Sequence, residues 1–265
     1  MPQITDQNYL LQQQYKDASN LNARVRLHAQ FSTNPYSWFL WLFDQFEISA
    51  QARVLELGCG PADLWRRNAQ RIPPGWEITL SDFSAGMVEQ ARANLADTRP
   101  FAFREIDAQS IPFEDGAFDG VIANHMLYHV PDRPQALREI RRVLKPGGKF
   151  YTTTVGENHL RELLAIPYRF DPEHAVDALR LTNEFSLENG AAQLQPFFER
   201  VEMRRYPDSL HVTEAGPLAD FLLSSFRFEF EQDRRAELVA FIEGELRQNG
   251  GALDITKDSG LFLCA

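Results

Sequence analysis

Two glycines one residue apart, Gly58 and Gly60, enclose Cys59 and follow the apolar run Val54-Leu55-Glu56-Leu57. A strand that breaks into such a turn can bring a nucleotide-like ligand against its backbone, because glycine lacks the Cβ that would hold the ligand off. A helix opening near Asp63-Leu64-Trp65 would aim its unpaired N–H groups at the same ligand. Further along, the extended stretch Trp76 to Ser81 ends at Asp82, about 20 residues beyond the glycines, where a ribose-binding carboxylate is expected. Aspartate also caps helices and closes turns. Only its spacing from Gly58 and Gly60 favours the ribose role.

A second group of reactive side chains is His125-Met126-Leu127-Tyr128-His129. Two imidazoles four apart could hold zinc on a helix, but the acid that accompanies such a pair is missing and no further ligands cluster nearby, so no metal is expected. Either ring could accept a proton from a hydroxyl or amine, since an unperturbed imidazole titrates near pH 6.5. The alternative is a loop histidine bonded to backbone, and both readings stay open.

The elements that must position these residues alternate. Extended segments are read at Val54–Leu57, Trp76–Ser81, Phe101–Ile106, Val121–Asn124 and, after the Pro146-Gly147-Gly148 turn, Lys149–Val155. Helical spacing separates them: Met87, Val88, Ala91 and Leu95 in Ala85–Leu95, then Ala136, Leu137, Ile140 and Val143 in Arg133–Leu144. Strand and helix in alternation mean an α/β protein. The strands end in polar residues that a parallel sheet would gather along its carboxyl edge, where such sheets bind ligands.

The segments VLELGCGPADLW (Val54 to Trp65), LSDFSAGMVEQAR (Leu80 to Arg92), IDAQSIPFEDGAFDGVIANHMLYHVPD (Ile106 to Asp132) and REIRRVLKPGGKF (Arg138 to Phe150) together resemble the class I S-adenosylmethionine-dependent methyltransferases. The resemblance is nearest to the branch holding the ubiquinone/menaquinone C-methyltransferases and many small-molecule methyltransferases. It implies a doubly wound, mostly parallel, seven-stranded Rossmann-like sheet with an antiparallel last strand. It further implies S-adenosyl-L-methionine as cofactor. Glu56 and the Gly58-Cys59-Gly60 backbone would hold the methionine half, Asp82 the ribose hydroxyls and Phe83 the adenine, with Met87 also among the cofactor-binding residues. Asp107 and the Ala108 N–H would meet the adenine amine, and Asn124 would lie under the methionine portion near the transferred methyl. His129 is the more structural of the two histidines, because the family often carries one there. The family often has a third glycine where this chain has Pro61-Ala62, which implies a slightly displaced loop.

The resemblance also implies an N-terminal helical cover over residues 1–46, around a cofactor-binding core of 47–156. Leu21, Val25, His28 and Phe31 recur at helical spacing, followed by Tyr36, Trp38, Phe39, Trp41 and Phe43. Tyr15, Arg24 and His28 could face the site: an aromatic face attracts a sulfonium cation, and Arg24 could pair with the cofactor's carboxylate. Inserts at 157–185, with Tyr168 and Phe170, and at 213–250, rich in phenylalanine, belong to the substrate side. A sixth strand is read at Val201–Val212. The turn-like Lys257-Asp258-Ser259-Gly260 between two alternating runs reads as a terminal hairpin over 251–265.

Composition narrows the partners. A chain of 265 residues that is 44% hydrophobic can bury one full core, and a net charge of −10 argues against nucleic acid as substrate. Met1 to Leu11 lacks the basic and apolar regions of a signal peptide, and the longest apolar stretch, Trp38 to Phe43, is too short to span a bilayer. No membrane association and a cytoplasmic location are therefore expected. Two cysteines, Cys59 and Cys264, form no metal or disulfide motif. A small, largely apolar or aromatic acceptor is expected, and a homo-oligomer would fit the N-terminal aromatics. Two rivals remain: an NAD-dependent oxidoreductase, which shares the glycines and ribose acid, and a non-catalytic cofactor-binding scaffold.

Overall fold

The computed structural model describes residues 5–10, 19–98, 100–172, 181–224 and 234–265. Seven strands, β1 (Gln51–Leu57), β2 (Gly75–Asp82), β3 (Ala102–Glu105), β4 (Phe118–Asn124), β5 (Leu144–Val155), β6 (Val201–Val212) and β7 (Leu253–Cys264), form one sheet in the order β3-β2-β1-β4-β5-β7-β6. The pairs from β3 through β5 are parallel, whereas β7 runs antiparallel to both of its neighbours. Strand order reverses between β1 and β4, which opens a crevice at the carboxyl edge.

The helices among the described residues are α1 (Gln7–Tyr9), α2 (Ser19–Phe31), α3 (Trp38–Asp44), α4 (Asp63–Asn68), α5 (Ala85–Asn94), α6 (Arg133–Val143), α7 (Arg161–Leu164), α8 (Ile166–Phe170), α9 (Leu181–Glu184), α10 (Gly190–Leu194), α11 (Ala215–Ser224) and α12 (Arg235–Gln248). Central strands are covered on both faces. On one face Leu55, Val121 and Phe150 pack with Ala136, Leu137 and Ile140 of α6. On the other, Val54, Ile78 and Ile122 pack with Trp65 and Ala91. Near-continuous apolar strands follow from this double cover. No described helix is long and apolar enough to cross a membrane.

A third cluster builds the cover. Leu27 and Phe31 of α2 pack against Leu218 and Leu222 of α11 and Leu163 of α7. The cover is tied to β6: Ser32 Oγ donates to Asp208 Oδ2 at 2.6 Å, the Asn34 N–H donates to Asp208 Oδ1 at 3.0 Å, and Tyr206 Oη donates to the Tyr36 carbonyl at 2.5 Å. The aromatics of α3 pack on the core, and Trp38 and Phe39 also border the carboxyl-edge crevice. Trp38 and Trp41 stack at 5.3 Å, and both meet Tyr206.

The terminal hairpin is corrected. β7 is one continuous strand of 12 residues, with no turn at Lys257–Gly260. The turn-like residues serve other ends: Lys257 pairs with Asp208 and Asp258 with Arg205, across the ladder to β6. Gly260 is required by close approach, since a Cβ there would lie 2.7 Å from the Arg204 carbonyl oxygen.

Candidate active site

The apolar core of β1 carries the chain to the carboxyl edge, where Gly58 and Gly60 take positive φ of 69° and 52°. A Cβ on Gly58 would lie 3.0 Å from the Met126 side chain. Ala62 continues the turn at φ 62°, the left-handed conformation a third glycine would adopt without strain, and leads into α4. The crevice continues into a cavity of about 680 Å³ lined from Asp107 through the glycine turn to Lys257.

Glu56 is buried, with both oxygens engaged: Trp65 Nε1 donates to Oε2 at 2.5 Å and Asn124 Nδ2 to Oε1 at 2.8 Å. Burial, with Asp82 adding like charge, outweighs those two hydrogen bonds and pushes its carboxyl up to about 7. Asp82 accepts from the Gly60 N–H and the Ser84 N–H, each at 2.9 Å, so it both closes the turn and faces the cavity. Burial raises it despite these bonds. No Lys, Arg or His among the described residues pairs with either carboxylate. These acceptors therefore suit a ligand that brings an ammonium and hydroxyls.

Asp107 follows β3 and accepts from the Gln109 N–H at 2.9 Å and from Gln109 Nε2 at 3.1 and 3.0 Å. Gln109 is a neighbour that sequence reasoning missed. Phe83, Met87, Ala108 and Cys59 line the same half of the cavity, and burial pushes the Cys59 thiol well up, so it is no nucleophile. Arg24 reaches the lining from α2, as does His28; Tyr15 lies outside the described residues.

His125 follows β4 at φ 50°, an uncommon conformation for a residue with a Cβ. Its backbone N–H donates to the carbonyl and hydroxyl of Thr153, both at 3.1 Å, which pins the turn and projects the ring beside Trp38 at 5.4 Å. Burial, aided by Lys257, lowers its imidazole to about 4. His129 ends a short 3₁₀ turn, Leu127–His129, and stacks edge-on with Tyr128 at 4.6 Å. Both rings line the cavity. No group of three or more metal-ligating side chains occurs among the described residues.

The far end of the cavity holds His28, His159, Phe221, Lys257 and Ser259. From sequence, His28 was read as facing the site and Phe221 fell in the phenylalanine-rich insert; His159, Lys257 and Ser259 were not read as site residues, because their convergence depends on α2, the loop after β5, α11 and β7 meeting in space. Phe221 both packs in the α11 core and borders the cavity, whereas Phe226, Phe228 and Phe230 lie outside the described residues.

This fold and turn define a known class. Residues 55–152 match the family model described as a methyltransferase domain. The chain is 34% identical over 115 residues to a ubiquinone/menaquinone biosynthesis C-methyltransferase of Hahella chejuensis, covering 42% of this chain and 46% of that protein. It is 34% identical over 119 residues to a malonyl-[acyl-carrier protein] O-methyltransferase of Legionella pneumophila, covering 45% and 42%. The matched part thus spans less than half the length of these relatives.

Among solved structures, a phosphoethanolamine N-methyltransferase 2 of Haemonchus contortus in complex with S-adenosyl-L-methionine superposes with a TM-score of 0.59 at 20% identity, over 97% of this chain and 59% of that one. The [4+2]-cyclase SpnF superposes equally well, at 0.59 and 17% identity, over 99% and 96%. Residues 55–152 are thus similar to a methyltransferase domain, and the seven-stranded sheet has the topology that the resemblance to class I S-adenosylmethionine-dependent methyltransferases implies. The sheet order with its antiparallel β7 and the methyltransferase-domain match disfavour the dehydrogenase reading.

Proposed function

We propose that this protein transfers the methyl group of S-adenosylmethionine to a small acceptor lying over β5 and β7, with His125 as the proton acceptor. The observation that carries the reading is a pair of carboxylates, the buried Glu56 and the half-buried Asp82, set around the Gly58–Gly60 turn without cationic partners among the described residues. Glu56 and Arg24 would hold the methionine end, Asp82 the ribose, and Asp107, Phe83, Met87 and Ala108 the adenine. Cys59 supplies backbone and small volume only. Bound there, the cofactor supplies an electrophilic methyl on a good leaving group.

The chain's contribution is then alignment and the exclusion of water. Trp38, Leu42 and Phe39 close the cavity from the cover, and Met126 packs under Gly58. Asn124, held by Glu56 and Thr153, fixes the floor beside His125. A neutral imidazole at pH 7 can take a proton from an acceptor O–H or N–H; His129 lies further along the lining as a structural neighbour. The protein is read as a cytoplasmic, small-molecule enzyme acting on neither nucleic acid nor membrane, and a homo-oligomer is compatible with it.

The cyclase among the structural neighbours gives the second reading, since the same fold supports a different reaction. The test is methyl release from labelled S-adenosylmethionine across an acceptor panel, with His125→Asn as the control. Asparagine tolerates positive φ, so the variant should fold and bind cofactor while losing about 10²-fold or more in turnover. Undiminished turnover would remove His125 as the base. Cofactor binding with no transfer to any acceptor would favour the cyclase-like or scaffold reading.

A further inference from the structure

Strand β7 overshoots the sheet. It pairs with β5 only from Ser259 to Cys264, whereas its pairing with β6 runs the whole way from Leu253. Residues 253–258 therefore stand with β6 as a two-stranded ribbon beyond the carboxyl edge. Lys257 and Ser259 are two apart on β7, so they share a face, and both line the cavity. Ser259 sits opposite Val155 at the end of β5, and Lys257 lies about 7 Å further out.

The cofactor half of the crevice is built on β3, β2, β1 and the end of β4. Lys257 is two strands past β4, about 10 Å across the sheet from the transferring position. It belongs to the acceptor's end.

That end is equipped with donors. The Lys257 side chain is 9% exposed and gives one N–H to Asp208, opposite it on β6, while its ammonium lies 5.5 Å from the centre of the Tyr206 ring. Two of its three donors have no protein acceptor among the described residues, and ammonium offers no acceptor of its own. Asp208 is fully occupied: Ser32, Asn34, the Ser209 N–H and Lys257 all donate to it, and it does not line the cavity. His159 Nδ1 accepts the Asp258 N–H at 3.1 Å, which sets the proton of the neutral ring on Nε2. Stacked on it at 6.2 Å, His28 has a buried Nδ1 without a hydrogen-bond partner. The lining acids, Glu56, Asp63, Asp82 and Asp107, all belong to the cofactor half.

In a chain of net charge −10, this end turns hydrogen-bond donors rather than carboxylates toward the cavity. We propose that the acceptor carries an anionic oxygen group, a carboxylate or a phosphate ester, seated on Lys257 and Ser259 with His159 and His28 beside it. The proposal rests on the methyltransferase reading and names the substrate class that reading leaves open. It revises the sequence-based picture of a largely apolar acceptor: Trp38 and Phe221 provide an apolar wall, and the far end selects charge.

The experiment is a binding series on the wild-type chain saturated with S-adenosylhomocysteine. The probes are benzoate, phenylacetate and octanoate, their methyl esters, and phenyl phosphate, followed by calorimetry and thermal shift. At least one acid should bind about tenfold or more tighter than its neutral ester, the usual scale of a charge-assisted hydrogen-bonded anion. Comparison of the carboxylates with phenyl phosphate tells the two sources apart.

Lys257→Met should abolish that preference while leaving S-adenosylhomocysteine affinity within about twofold, and Lys257→Arg should retain it. Equal binding of acids and esters overturns the proposal even if Lys257→Met fails to fold, because the wild-type comparison needs no variant. Equal loss of S-adenosylhomocysteine affinity in a folded Lys257→Met also overturns it, by moving Lys257 to the cofactor. A wild-type chain that binds no S-adenosylhomocysteine defeats the functional reading itself, a distinguishable failure.

Discussion

Glu56 should make cofactor binding depend on pH. Its carboxyl titrates at about 7 in the ligand-free protein because it is buried beside Asp82 with no cation to offset it. A ligand ammonium set against it would favour the ionised form, so binding expels a proton. The sign follows: affinity is greatest above pH 7 and declines as Glu56 is protonated. From about pH 8 to about pH 6 the ionised fraction falls roughly tenfold, equivalent to about 1.4 kcal/mol of binding free energy.

Titration calorimetry with S-adenosylhomocysteine, in buffers of differing ionisation enthalpy, measures both the slope and the proton released. Glu56→Gln is a fair control. Its carbonyl can accept from Trp65 Nε1, and Asn124 can turn its own carbonyl toward the new amide, with the Thr153 hydroxyl then accepting from Asn124. That variant should fold, bind at about pH 8 roughly as weakly as the protonated wild type, and show no slope. A wild-type affinity constant between pH 6 and 8, or a slope that survives in Glu56→Gln, would refute the reasoning.

Three other perturbations test other parts of the structure. Asp82→Ala should cost about 1.5–3 kcal/mol of cofactor binding, tenfold or more, because the Gly60 and Ser84 N–H groups lose their acceptor along with the ribose; unchanged calorimetric affinity in a folded variant would remove that role. Stability of the ligand-free protein should rise with pH between about 5 and 6.5. Folding lowers His28 to about 3 and His125 to about 4 while raising Glu56 to about 7, so the unfolded chain binds two extra protons on the imidazoles and one fewer on the carboxyl. Near pH 5 the net of one proton gives about 1.4 kcal/mol per pH unit from these groups, declining to about 0.3 near pH 6.5 as the unfolded imidazoles lose half their protons, and urea denaturation showing a flat or falling trend would contradict it. Gly260→Ala should destabilise by about 1–3 kcal/mol, since its Cβ meets a backbone carbonyl that cannot rotate away; an unshifted denaturation midpoint would argue against the close approach.

Much of the crevice around the glycine turn was legible because its signals are local. Gly58 and Gly60 are needed by the turn they themselves form, Asp82 and Asp107 are the residues at which β2 and β3 run out, and hydrophobic spacing gave α5 and α6 within a residue or so. Where a residue's partner is distant in the chain, its composition misled. Lys257-Asp258-Ser259-Gly260 has the residues of a turn, yet Lys257 and Asp258 meet Asp208 and Arg205, and Gly260 makes room for Arg204.

The sequence alone determined an α/β chain with a nucleotide-type turn, because strand periodicity, glycine geometry and the spacing of acids are properties of neighbouring residues. Only the tertiary structure decided how Glu56 is held, that His125 is strained and desolvated, and that β7 runs on past the sheet to bring Lys257 toward α2. Those are matters of burial and of contacts between separate elements of the fold, and no local pattern encodes the dielectric or the partner a side chain meets after folding.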